Sequence, residues 1–166
     1  MTGLPSFETA RLILRPRTMD DLEDCLAMDR DPEVVRYVQG PWSDPAAHRR
    51  FVEGRISAAY PPGQGYWTVV AKDGGFQGWI LLIPVDGAGS EIEIGWRFIR
   101  ASWGRGYATE AAAPILAHAR DALRVPVVAD IDPNNAASMR VAEKIGMARL
   151  GPVRHNGEDV IRYALR

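Results

Sequence analysis

The stretch "WRFIRASWGRGYATEAAAPILAHAR", residues Trp96 to Arg120, decides how this chain is read. An alternating apolar segment passes through a glycine-flanked arginine into a long alanine-rich run. Just upstream, in "EIEIGWRFI", Ile92, Ile94, Trp96 and Phe98 alternate with Glu91, Glu93, Gly95 and Arg97, so one face packs and the other meets solvent or a cleft. Beyond Tyr107, the residues Ala108, Ala112, Ile115, Leu116, Ala119 and Leu123 recur at helical spacing, with Pro114 expected to bend the axis. A strand therefore turns into a helix across Arg100 to Gly106. The first amides of a helix lack intrahelical partners, glycines admit a ligand close to the backbone, and the helix dipole favours negative charge. The seam reads as a phosphate site with Arg105 beside it, or as a tight turn that Gly104 and Gly106 merely ease.

Working outward, "RLILRP" (Arg11 to Pro16) reads as a strand stopped by proline. Thr18 and Asp21 have capping-box spacing before a helix from about Met19 to Met28. Asp31-Pro32 and Asp44-Pro45 each place a capping acid before a proline, which predicts helices over Pro32 to Val38 and Pro45 to Ala59. "YWTVVAK", "FQGWILLIP" and "EIEIGWRFI" follow as three antiparallel strands, separated by Gly74-Gly75 and "DGAGS". After the quoted helix come a buried strand "VPVVADI", a helix from "PNNAAS" to Gly146, and a hairpin turning at Asn156-Gly157. The expected fold is α+β: one domain over residues 1–166, with a mostly antiparallel sheet of six to seven strands and about four helices.

Composition narrows the function. The chain has 166 residues and a net charge of -1, so there is no bulk electrostatic preference for nucleic acid or an anionic membrane. The lone Cys25 builds no disulfide framework, and His48, His118 and His155 are too far apart in sequence to suggest a metal site. With no leader-like or spanning segment, a cytoplasmic, metal-free protein is the expectation. The GxxxxGK[ST] phosphate loop is absent. GxGxxG fails because Thr109 stands three residues after Gly106. Any pyrophosphate here is held without a lysine cradle or magnesium.

The motif "WGRGYATEA", together with "RLILRPRTMDDLEDCLAMDRDPEVVRY", "EIGW" and "DPNNAASMRVAEKIGM" in that order, resembles the GCN5-related N-acetyltransferases (GNAT). It is most similar to the branch that includes ribosomal-protein N-terminal acetyltransferases. Trp103 replaces the family's usual Gln or Arg at the head of the loop. The resemblance implies a sheet splayed between its central strands, with acetyl-CoA as co-substrate. It implies a pyrophosphate held by Gly104, Arg105, Gly106, Ala108 and Thr109. The pantetheine arm would run past Phe98 and Ile99, where a freed backbone N–H serves the thioester oxygen, and Asn135 would hydrogen-bond that arm or simply cap its helix. Many members carry a tyrosine where this chain has Ala142. Ser138, one turn earlier, then becomes the candidate to hydrogen-bond the sulfur, although a plain first-turn serine reads the same way.

Direct attack on a thioester needs a neutral amine. At pH 7 deprotonation costs about 1 kcal/mol for an α-amine and about 4.6 kcal/mol for a lysine, so a base matters more for the second. Glu93, on the cleft-facing side of the strand, is the leading candidate and Glu91 the runner-up, with a solvated polar face as the alternative for both. The acceptor is open between a protein N-terminal α-amine, a polyamine, and an amino sugar or antibiotic. Its pocket is expected from Val34 to Arg55 and His155 to Asp159. A bulkier acyl donor, a CoA-binding sensor or scaffold without catalysis, and a monomer or homodimer all remain compatible with the residues. Trp42, Trp67, Trp79 and Trp96 read as core or cleft wall.

Overall fold

The computed structural model describes residues 3–87 and 89–165. Strand β1 (Phe7–Glu8) pairs with β2 (Leu12–Pro16), followed by helix α1 (Leu22–Asp29), entered through a 3₁₀ turn at Met19–Asp21. Asp21 accepts the Thr18 amide at 2.9 Å, as the capping spacing predicts. Its buried carboxylate also takes two hydrogen bonds from Arg15 and one from Thr68. Helix α2 (Pro45–Ser57) begins at Asp44, whose side chain accepts the Ala46 and Ala47 amides at 3.1 Å. The helix predicted over Pro32 to Val38 is instead a series of turns. Val34 donates to the Asp31 carbonyl and Val38 to that of Val35, both i to i+3, while the Asp31 carboxylate is divided between the Glu33 amide and Arg100. Seven residues with three β-branched valines do not repay helix nucleation.

Strands β3 (Gly65–Ala71), β4 (Phe76–Pro84) and β5 (Ile92–Phe98) form the predicted antiparallel run. Helix α3 (Tyr107–His118) then closes in a wider turn over Ala119–Leu123, where Arg124 donates to the Ala119 carbonyl. Strand β6 (Val127–Ile131), helix α4 (Ala136–Lys144) and the hairpin β7 (Ala148–His155) and β8 (Glu158–Leu165) complete the chain. Asn156 and Gly157 turn that hairpin with φ of 51° and 77°, the left-handed pair such a two-residue turn requires.

The sheet order is β1-β2-β3-β4-β5-β6-β8-β7, with eight strands where six or seven were expected; the addition is the two-residue β1. The β5–β6 pair alone is parallel. One core lies between the sheet and α3, around Trp67, Ile94, Ala112, Ile115 and Tyr163, and reaches Ala142 of α4. A second lies on the opposite face beneath α1 and α2, around Leu26, Val52, Tyr66 and Trp79. No described helix is long and apolar enough to cross a membrane.

Candidate active site

The site grows from an incomplete ladder. β5 pairs with β6 only at Ile92–Val127 and Glu93–Val128, after which the two strands part. Backbone parity fixes what the gap exposes. Ile92 donates toward β6, to the Pro126 carbonyl at 3.0 Å, so the even residues Trp96 and Phe98 aim their N–H groups the same way, past the end of the ladder. The odd residues serve β4. Ile99 donates to the Gln77 carbonyl at 2.9 Å, so its amide is engaged and the freed N–H belongs to Phe98 or Trp96.

At the far end of β5 the chain makes the seam read from sequence. Gly104 and Gly106 have φ of 73° and 78°, and both are exposed. A Cβ would find open space at Gly104 and ordinary contact with Arg11 at Gly106, so backbone conformation rather than room selects glycine. Trp103 donates its indole N–H to the Phe98 carbonyl at 3.0 Å, tying the loop to the strand end. The first intrahelical bond of α3 runs from Glu110 to Gly106. The helix therefore uses none of the amides of Gly106, Tyr107, Ala108 and Thr109. Arg105 and Arg11 each place a guanidinium 4.6 Å from the centre of the Tyr107 ring, while Arg11 is also tied to Glu110 at 2.8 Å. These amides and cations offer an anion local partners that the net charge of the chain does not supply.

Glu93 stands on the last paired position before the gap, half-buried, on the face opposite α3. Burial pushes its carboxyl up to about 7, reinforced by the Asp130 carboxylate and against the weaker pull of His155 and Arg55. Asp130 is itself held by Arg162 through two 2.8 Å hydrogen bonds, and His155 bridges Asp130 at 3.1 Å and Asp86 at 2.9 Å. Hydrogen bonding to Asp86 raises the pKa of His155. Glu91 lies just ahead of β5, beside the paired end, and its carbonyl accepts the Val85 amide.

On the other side of the gap, Asn135 caps α4, its side-chain oxygen accepting the Ser138 amide at 3.2 Å. Capping uses only the oxygen, so the amide NH₂ can still donate. The Ser138 hydroxyl accepts the Trp96 indole N–H at 3.3 Å, which brings α4 against β5 where the strands have parted. Ala142 is fully buried in the main core. The fully buried Tyr163 donates its hydroxyl to Glu143. Ile145 is the C-cap of α4, and Gly146, with φ of 98°, follows it as the left-handed residue that ends the helix, its amide donating to the Glu143 carbonyl.

Residues 11–148 match the acetyltransferase (GNAT) domain family. The chain belongs to the GNAT family of acetyltransferases. It is 34% identical over 156 residues to the uncharacterized protein YkkB of Bacillus subtilis, covering 90% of each. It is 30% identical over 156 residues to the FsC-acetyl coenzyme A-N(2)-transacetylase of Aspergillus fumigatus, covering 88% of this chain and 66% of that one. A solved GNAT acetyltransferase from Bacillus anthracis superposes with a TM-score of 0.80 at 27% identity, covering 97% and 98%. GNAT enzymes use acetyl-CoA, and the unspent amides before α3 together with the open β5–β6 gap fit such a co-substrate.

The structure thus brings Glu93, Phe98, Ser138 and the loop residues Gly104 to Thr109 around one opening in the GNAT sheet, with Asn135 at its α4 side. Sequence reasoning missed the surroundings of Glu93. Asp130, Arg162, Asp86 and Arg55 come from four separate segments, and no spacing signals their convergence. It also missed the anchoring of α3 by Thr9 and Arg11 through Glu110. A cavity of about 590 Å³ opens elsewhere, between α1 and the β3–β4 turn, and reaches the end of β5 only near Ile99 and Arg100. The chemistry is placed at the gap because the perturbed carboxyl and the unspent amides lie there.

Proposed function

We propose that this GNAT protein transfers the acetyl group of acetyl-CoA to a primary amine, of a protein N-terminus or a small molecule, by direct attack in a ternary complex. The observation that carries this reading is the position of Glu93, whose carboxyl is pushed up to about 7 at the point where β5 and β6 part. A base of that pKa is half ionised near neutrality and can take a proton from an ammonium group without being trapped in one form.

Acetyl-CoA supplies an acyl carbon already activated as a thioester. The amides of Gly104 to Thr109 hold the diphosphate, the Thr109 hydroxyl adds a donor, and Arg105 adds charge. Asn135 donates to the pantetheine arm while still capping α4. The Phe98 or Trp96 N–H faces the thioester oxygen and stabilises charge developing there. Glu93 accepts the proton of the amine, directly or through a water. An N–C bond forms, the C–S bond breaks, and the sulfur departs as thiolate. Ser138 can hydrogen-bond that sulfur. With a thiol pKa near 8.5, the absence of a tyrosine at Ala142 costs little.

The test is release of free thiol from acetyl-CoA across a panel of primary amines, beside calorimetry with CoA. Binding together with turnover supports the reading. Binding without turnover on any amine replaces it with a CoA-sensing module, and no heat at millimolar CoA removes both. Gly106→Val, forcing a β-branched residue to positive φ, should weaken CoA at least tenfold.

A further inference from the structure

The face of the sheet that carries Glu93 continues across two more strands to a second feature. Gly95 pairs with Leu81 and Leu81 with Tyr66, so Tyr66 shares the face of Glu93 and Arg97. Beside it lies a cavity of about 200 Å³, walled by Arg17, Arg55, Tyr60, Gln64 and Tyr66. That volume suits the tail of a ligand rather than a whole one.

Three polar atoms of this cavity are left without a partner among the described residues, while the Tyr60 hydroxyl donates to the Arg55 carbonyl at 3.1 Å. Arg17 stacks on Tyr66, with its guanidinium 3.8 Å from the ring centre, and its Nε and Nη2 are buried without a hydrogen-bond partner among the described residues. Its Nη1 meets only the Cys25 sulfur, at 4.0 Å. Arg15, two residues earlier, instead grips Asp21 with two hydrogen bonds of 2.9 and 2.7 Å. Arg55, at the end of α2, lies over Phe51 and makes no ion pair among the described residues. The Gln64 side-chain oxygen is also buried without a donor among the described residues. Buried polar atoms such as those of Arg17 and Gln64 are costly unless something completes them, and the exposed Arg55 adds a second positive charge at the rim. A planar guanidinium is best completed by a carboxylate, and Gln64 adds an acceptor for a neighbouring N–H.

Resting on the acetyltransferase reading above, we propose that this cavity receives the carboxylate of the amine acceptor, and that the substrate is a small amine carrying a free carboxylate. The start of β3 stands two strand spacings, about 10 Å, from β5, so amine and carboxylate lie several bonds apart, as in a dipeptide or an ω-amino acid. The two arginines repel a polyamine, and the terminal carboxylate of a protein lies far along the chain from its N-terminal amine.

The experiment is calorimetry on the CoA-saturated protein with glycyl-leucine and 6-aminohexanoate, each beside its carboxamide, and with spermidine. Each acid should bind at least tenfold more tightly than its amide, and Arg55→Met and Arg17→Met should reduce that advantage to threefold or less. Arg55 is exposed, so its variant keeps the test valid if the Arg17 variant fails to fold. Amides binding as well as acids, spermidine binding more tightly than either acid, or an acid advantage that survives Arg55→Met would each overturn the proposal. Thiol release on the same panel separates the two readings. Acid-selective binding without thiol release sinks the acetyltransferase reading and leaves the carboxylate site, whereas equal turnover of acids and amides does the reverse.

Discussion

Glu93 and Glu110 sit on neighbouring elements of one site and have opposite chemistry. Burial works against ionisation of both. Glu110 is compensated, because the Thr9 hydroxyl at 2.6 Å, the Arg11 amide at 3.0 Å and the Arg11 guanidinium at 2.8 Å all donate to it, and its pKa falls below the usual value. Glu93 has the Asp130 carboxylate for a neighbour, and its pKa rises to about 7. A carboxylate supplied with donors becomes a structural anchor, here fixing α3 to the β1–β2 turn. One left short of donors in a cleft has the ionisation that the proposed base requires.

The comparison breaks first at Glu93. Glu93→Gln should lower kcat/KM for a lysine-like or other high-pKa amine by a hundredfold or more and remove the rise of rate through pH 7, read by thiol release across pH 5.5 to 9. If the variant keeps the wild-type profile, Glu93 is not the base. The same variant should gain stability. A carboxyl whose pKa is raised by folding contributes stability below its ordinary value of 4.5, and that contribution is lost as pH climbs to about 7. Urea titrations should therefore find Glu93→Gln more stable by up to about 3 kcal/mol at pH 8 and no different at pH 4. Glu110→Gln has the opposite sign. Its lowered pKa contributes stability above the ordinary value that is lost as pH falls, so the variant should lose about 1 kcal/mol at pH 7 and less at pH 3. The smallest effect falls on Ser138→Ala. It removes the acceptor of the Trp96 indole and should reduce kcat less than tenfold at saturating acetyl-CoA, in a stopped-time assay.

The loop was the most legible part of the site. Gly104 and Gly106 are written for their positive φ, and the first amides of α3 are unspent because any helix leaves them so. The strand alternation around Glu93 and the hairpin at Asn156-Gly157 were equally plain, since period and turn chemistry are local. Asn135 caps α4 with its side-chain oxygen, which leaves the NH₂ out of the cap and keeps the proposed bond to the pantetheine arm compatible with it. The Pro32 to Val38 segment misled because capping acid and proline were present, but the acid is drawn away by Arg100, sixty-nine residues distant in sequence. The freed N–H expected past Phe98 and Ile99 had no residue assigned to it, since strand parity depends on which neighbour each amide faces.

Local rules therefore settled the order of elements, the glycine seam before α3 and the strand face that carries Glu93, because helix ends, left-handed glycines and strand alternation follow from a few adjacent residues. Tertiary structure alone decided the ionisation of Glu93, the strand on which β5–β6 pairing stops, and the gathering of Arg17, Arg55 and Gln64 around one cavity. Those depend on desolvation and on charges from distant segments, and an electrostatic field is a sum over space that no stretch of chain contains by itself.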